Sequence, residues 1–124
     1  MRWLVDASNV IGSVPDGWWK DRAGATKRLV DAICAYSERS GDELVVVLDA
    51  GPGELAGDRE KVTVVLAPRR GRDAADEEIV RLLSDAPDPA GMHVATSDRA
   101  LAEQVRSLGA EVEGARAFRR RLDF

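Results

Sequence analysis

The chain has 124 residues, 44% of them hydrophobic and 32% charged, which suits one globular domain with one core. Cys34 is the only cysteine and His93 the only histidine, so an internal disulfide and a zinc site of the usual Cys/His type are both excluded, and any metal site must use oxygen ligands. A net charge of −4 argues against indiscriminate binding to polyanions, and no run is long enough to span a membrane.

A first strand is predicted over residues 2–6, followed by a loop from Ala7 to Lys20 that contains Gly12, Pro15 and Gly17. The N-terminus enters this strand directly, so neither a leader nor an anchor is expected and the expected location is cytoplasmic. Asp21 begins a helix whose apolar face carries Leu29, Val30, Ile33 and Cys34, and Gly41 ends it. Glu43 to Leu48 is a second strand. The turn Gly51-Pro52-Gly53 and a charged stretch lead to a third, Val62 to Leu66, stopped by Pro68. A basic turn, Arg69-Arg70-Gly71-Arg72, precedes a helix from about Ala74 to Ser84. Segment 86–91 closes that helix, Met92 to Ala95 forms a fourth strand, and a helix runs from about Arg99 to Leu108. A short fifth strand, Ala110 to Val112, follows Gly109. The tail from Gly114 to Phe124 is basic, with Arg116, Arg119, Arg120 and Arg121, and shows little periodicity.

Strands alternating with helices imply parallel βαβ units with right-handed crossovers, hence a mainly parallel α/β sheet. Three apolar runs end on an acid: Asp6, Asp49 and Asp98. Parallel strands place their carboxyl ends on one edge, where open α/β sheets bind ligands, so these acids are expected in one crevice suited to a divalent cation. Each candidate also has a plainer role. Asp49 precedes turn-forming residues, Asp73 and Asp76 have the spacing of a helix capping box, and Ser97 or Asp98 fits a helix cap. Asp73 is assigned to capping; Asp76 is kept for the site because the first turn of its helix points at the strand ends. His93 reads as a packed or edge residue and Cys34 as core. Trp18 and Trp19, beside Lys20 and Arg22, fit either stacking on nucleobases or anchoring a loop.

Several chemistries are absent: no phosphate-cradling Gly-x-x-x-x-Gly-Lys-Ser/Thr, no Gly-x-Gly-x-x-Gly, and no Asp-x-Asp after the first strand, where Ser8 stands two beyond Asp6. Four segments in order, Val5-Asp6-Ala7-Ser8-Asn9-Val10-Ile11-Gly12, Val47-Leu48-Asp49-Ala50, Ala75-Asp76-Glu77-Glu78-Ile79 and Ala95-Thr96-Ser97-Asp98, resemble a YacP-like NYN domain of the PIN-like nuclease superfamily. The resemblance spans residues 3 to about 110, with departures at Ala7, where many relatives carry glycine, and Glu77, where some carry a second aspartate. It implies a single domain over 1–124, a three-layer α/β sandwich and metal-dependent RNA cleavage. The matching positions are Asp6, Asn9, Asp76 and Asp98, with Asp49 specific to the YacP-like branch.

The chemistry required agrees with that set. Phosphodiester hydrolysis needs charge neutralisation, a hydroxide near neutral pH and a stabilised leaving oxygen, which Mg²⁺ or Mn²⁺ supplies. The expected metal ligands are Asp6, Asp76 and Asp98, with Asp49 tuning a second position and Asn9 orienting a water or phosphate. Without metal, the crowded carboxylates should repel one another and raise their pKa values. Arg69, Arg70 and Arg72 are expected to guide the RNA backbone. The partner is RNA, with a ribonucleoprotein or homo-oligomer left open. Two rival readings stand beside the single-strand endoribonuclease: a non-catalytic metal- and RNA-binding module, and a structure-specific DNA nuclease.

Overall fold

Side-chain alternation decides which helices cover each face of the sheet. In β1 (Arg2–Asp6) Trp3 and Val5 point to one side and Leu4 to the other; in β2 (Glu43–Leu48) Leu44, Val46 and Leu48 oppose Val47 in the same way. Both faces are apolar, as parallel strands covered on two sides require. The computed structural model describes residues 1–51, 53–69, 71 and 73–123. The remaining strands there are β3 (Gly57–Arg59), β4 (Val62–Leu66), β5 (Met92–Ala95) and β6 (Glu111–Glu113). Their order is β3-β4-β2-β1-β5-β6, parallel throughout except for the β3/β4 pair.

On the Trp3 side lie α1 (Ala7–Ile11), α2 (Arg22–Ser40) and α5 (Ala115–Arg121), which supply Val10, Leu29, Ile33 and Phe118 to the core. On the Leu4 side, α3 (Ala74–Asp85) and α4 (Arg99–Ser107) supply Ile79, Leu83, Leu101 and Val105. The result is the expected three-layer α/β sandwich, with the core divided by the sheet. Helix α2 starts where the Asp21 carboxylate accepts the Gly24 N–H at 3.0 Å. It stops at Gly41, whose φ of 77° suits glycine and whose N–H reaches the Ser37 carbonyl.

The structure differs from the sequence expectations in four places. Residues 7–20 are not wholly a loop: α1 begins directly after Asp6, and Trp18–Lys20 forms a 3-10 turn. The charged stretch after residue 53 contains β3, an edge strand with no apolar side chain, paired antiparallel with β4 through its backbone. Asp73 stands at the N-cap of α3, but its side chain makes no capping bond, so the expected capping box is not formed. The tail is α5, whose Ala115, Phe118 and Leu122 are buried. Its charge run hides an inward stripe at helical spacing.

Two tail arginines are therefore structural. Arg119 is 6% exposed; its guanidinium donates to the Val10 and Ile11 carbonyls at 3.4 and 3.3 Å and pairs with Asp16 at 2.6 Å. A cation at the C-terminal end of α1 also meets the negative end of that helix dipole. Arg121 is held in a forked pair by Glu113 at 2.6 and 3.0 Å and lies 5.2 Å from the Trp3 ring centroid. Arg116 and Arg120 remain exposed. Arg119→Ala should cost about 2–3 kcal/mol in urea unfolding, since the bonds of a buried charged donor to Asp16 and Ile11 are lost, while the Val10 carbonyl keeps its Ser13 donors. Arg120→Ala should stay within about 0.5 kcal/mol. Equal effects would refute the structural assignment of Arg119.

Candidate active site

The two crossovers next to β1 run on opposite faces: α2 carries the chain from β1 to β2 on the Trp3 side, and α3 carries it from β4 to β5 on the Leu4 side. The carboxyl ends of β1 and β5 therefore flank a topological switch point. Asp6 lies there, on the Leu4 face by alternation, and is 2% exposed. Thr96, just past β5, donates its hydroxyl to Asp6 Oδ2 at 3.0 Å, while Ser8 donates to Oδ1 at a long 3.4 Å. Thr96 Oγ1 also accepts the Asp98 N–H at 3.1 Å, so one hydroxyl connects two of the site acids.

Asp98 caps α4, its Oδ1 accepting the Leu101 N–H at 3.0 Å. The cap anticipated from the sequence is thus present, and it fixes this carboxylate at the edge while using one lone pair. Asn9 projects from α1 and its Oδ1 accepts the Ser97 N–H at 2.8 Å. Ser97 Oγ in turn accepts the Ala115 N–H at 2.8 Å, which joins α1, the loop after β5 and the start of α5. Thr96 was not assigned a role from sequence, and Ser97, a candidate cap of the following helix, instead links α1 to α5 while Asp98 makes the cap. The signal available was two hydroxyl residues directly after an apolar strand and before an acid.

Burial pushes the Asp6 carboxyl above its ordinary value of 3.8, opposed by the hydrogen bonds from Thr96 and Ser8 and reinforced by repulsion from Asp49. Asp76, in the first turn of α3, is pushed up to about 6, first by burial and then by the charges of Asp6, Asp98, Asp73 and Asp49. The charges of four other carboxylates thus act on Asp76 across this edge, and both Asp76 and Asp6 shift in the direction expected for an acid cluster without metal. Among the described residues, no three Asp, Glu, His or Cys side chains form a ready-made metal cage. The donors still fit a hard divalent cation, because they are oxygen-only and their mutual repulsion is what such a charge relieves.

Arg69 is exposed and stands 4.0 Å from Glu77, a surface pair of little energetic weight. Arg70 and Arg72 lie outside the described residues. His93 packs its ring 5.1 Å from that of Trp3 and sits 3.4 Å from Glu111 on the edge strand, while Cys34 is partly buried against the core. Trp18 is half-buried against the core and Trp19 is 53% exposed, so the two tryptophans have different roles.

The sign of the Asp76 shift fixes a pH dependence. A carboxyl whose folded-state pKa is raised contributes stability below the unfolded value near 4 and loses it as pH rises through about 6. In metal-free buffer at pH 7.5, Asp76→Asn should therefore be more stable than wild type by about 1 kcal/mol, after allowance for solvent screening. Near pH 4 the two proteins should melt together. A variant less stable than wild type at pH 7.5 would contradict the repulsion.

The profile of the YacP-like NYN domain matches residues 3–124. The fold is similar to that of crystal structures of Rae1 (YacP) from Bacillus subtilis: one is 27% identical with a TM-score of 0.79, covering 99% of this chain and 74% of that one. A single-substitution variant of the same protein is 25% identical with a TM-score of 0.77, covering 98% and 74%. A 63-residue segment is 36% identical to part of probable anion transporter 2, chloroplastic, of Oryza sativa subsp. japonica, covering 48% of this chain but only 12% of that protein. Among the described residues no helix is long and apolar enough to cross a membrane. With nearly its whole length matched, the chain belongs to the YacP-like NYN domain family, a PIN-like nuclease family.

Proposed function

We propose that the protein is a metal-dependent endoribonuclease that hydrolyses phosphodiester bonds of single-stranded RNA. The observation that carries this reading is the set of carboxylates at the switch point, where burial first and the charges of Asp6, Asp98, Asp73 and Asp49 next push Asp76 up to about 6. Family membership supports the reaction class. Asp6, Asp76 and Asp98 are the residues that would hold Mg²⁺ or Mn²⁺, with Asp49 beside a second position. When bound, the ion supplies charge neutralisation at the phosphate and a hydroxide near neutral pH.

The chain's own groups do the rest. Thr96 and Ser8 orient the Asp6 carboxylate, so its free lone pairs have a fixed direction. Asp98 is held by its cap and by the Thr96 link. The Asn9 carbonyl is occupied by the Ser97 N–H, and its NH₂ makes no hydrogen bond within the described residues. Those two donors suit a phosphate oxygen. Arg69, at the edge of the turn before α3, steers the strand as an exposed cation.

Asp6→Asn, Asp76→Asn and Asp98→Asn should each lower cleavage of labelled RNA at least about a hundredfold while leaving the protein folded. Asn also caps helices, so Asp98→Asn tests charge rather than the cap. Wild-type rates in all three would remove the assignment. Chelation should abolish cleavage without unfolding, and saturating Mg²⁺ or Mn²⁺ should raise the melting temperature by linkage. RNA binding without turnover would favour a binding module, and preference for matched DNA would favour a DNA nuclease. Arg69→Ala should make the log–log salt dependence of RNA binding shallower by about 0.7, the value for one phosphate on a single strand.

A further inference from the structure

A cavity of about 580 Å³ opens beside the acid edge, between α1, the start of α2 and the end of β2. Ala7, Ile11, Ala23 and Leu48 give it an apolar wall, and Trp18 forms one side. Ser8 and Asp49 belong both to this cavity and to the acid edge: Ser8 donates to Asp6, and the Asp49 charge acts on Asp6 and Asp76. The cavity is therefore continuous with the place where the scissile phosphate would sit.

Its chemistry selects the occupant. The lining is mainly apolar, the Asp49 carboxylate stands in it, and its one guanidinium, Arg22, is engaged over the Trp18 ring, a combination that favours a neutral group over a phosphate. A neutral flat ring with N–H donors suits it, since the ring meets an indole face and apolar contacts while Asp49 accepts from its edge. The Arg22 guanidinium lies 5.5 Å from the Trp18 ring centroid, adding a planar cation beside the indole. Gly17, at φ 89°, makes the turn that presents Trp18, and Arg119 ties the preceding loop to α5 through Asp16. The aromatic is thus mounted on a braced loop. Trp19 packs edge-on against Trp18, with ring centroids 5.7 Å apart, and supports it from outside.

We infer that this cavity is a nucleobase pocket: it takes one unstacked base of the RNA strand, adjacent to the phosphate at the acid edge, and stacks it on Trp18. The inference rests on the ribonuclease reading for the identity of the strand, and it adds a determinant of where that strand is cut. A pocket of this kind makes cleavage depend on an unpaired nucleotide, because a base within a duplex cannot turn into it.

The test is a stacking cycle on short labelled RNA carrying one abasic residue stepped along its length, bound in Mg²⁺ to the Asp98→Asn protein so that the strand survives. One abasic position should weaken binding about tenfold, the scale of a single base–aromatic contact. Trp18→Ala should weaken binding of intact RNA by a similar factor and abolish the penalty at that position. Trp18→Phe should restore most of it. Ala23→Leu, which adds bulk to the cavity from α2 and keeps the Trp18 indole, should reproduce the loss and covers the case in which Trp18→Ala fails to fold. Additive losses, or no position-dependent penalty in the parent protein, overturn the pocket. Cleavage by wild-type protein is measured in parallel: turnover without a positional penalty sinks only the pocket, the full cycle without turnover sinks only the nuclease reading, and absence of RNA binding sinks both.

Discussion

A carboxylate buried at the end of the central strand is the constraint on which the site depends. Asp6 is 2% exposed, and a charged group so placed is tolerated only where hydrogen bonds or counter-charges replace its lost water. Thr96 supplies the short bond from the neighbouring strand end, and Ser8 a longer one from the first turn of α1. Although Asp6 occupies the N-cap of α1, its side chain makes no capping bond. The carboxylate is held between Thr96 across the switch point and the Ser8 hydroxyl in the first turn of its own helix. Thr96 then passes the constraint on to Asp98 through the backbone N–H. Displacing the end of either strand would leave Asp6 buried without its partners, so the acid edge and the β1/β5 pairing stand or fall together.

The Trp3 layer reaches the same edge by a different route. Asn9, Ser97 and the Ala115 N–H form a chain of two hydrogen bonds from α1 to α5 across the loop after β5. Arg119 returns from α5 to the end of α1 and to Asp16. The basic tail thus braces the segment that carries Ser8, Asn9 and Trp18. Repulsion among the acids pushes the edge apart, and these ties on the far side of the sheet oppose it. Loss of packing under α5 should therefore be felt at the acids, although none of them touches it.

The strands were largely legible in the sequence because each central one is an apolar run ended by a turn residue or an acid. Residues 2–6, 43–48, 62–66 and 92–95 coincide with β1, β2, β4 and β5, and β6 lies one residue beyond the expected Ala110 to Val112. Elements without that signal were not legible. Strand β3 is Gly-Asp-Arg and has only backbone bonds to declare it, while α1 is five residues long and starts with no turn to mark the change. In α5 the arginines outweighed Ala115, Phe118 and Leu122, whose i, i+3, i+7 spacing was the available signal. The strand-end rule pointed to the acids. It could not show that Thr96 would link Asp6 to Asp98, because that depends on the β1/β5 register.

The structural roles of Arg119 and Arg121 change how the protein's charge must be understood. Arg119 and Arg121 are committed to Asp16, Glu113 and helix carbonyls, so two of the four cations in segment 116–121 contribute little to an outward field. Arg69, Arg116 and Arg120 remain at the surface against an edge where Asp6, Asp49, Asp73, Asp76 and Asp98 act together. A phosphate approaching that edge meets net repulsion until a divalent cation offsets it. On the proposed nuclease reading, metal and RNA binding would be linked, and linkage is reciprocal: RNA would strengthen metal binding by the factor through which metal strengthens RNA binding. The raised pKa of Asp76 reflects its burial and the neighbouring like charges, and of the two ligands only the cation would offset the latter. An acidic chain can in this way hold a polyanion at one edge without holding polyanions everywhere.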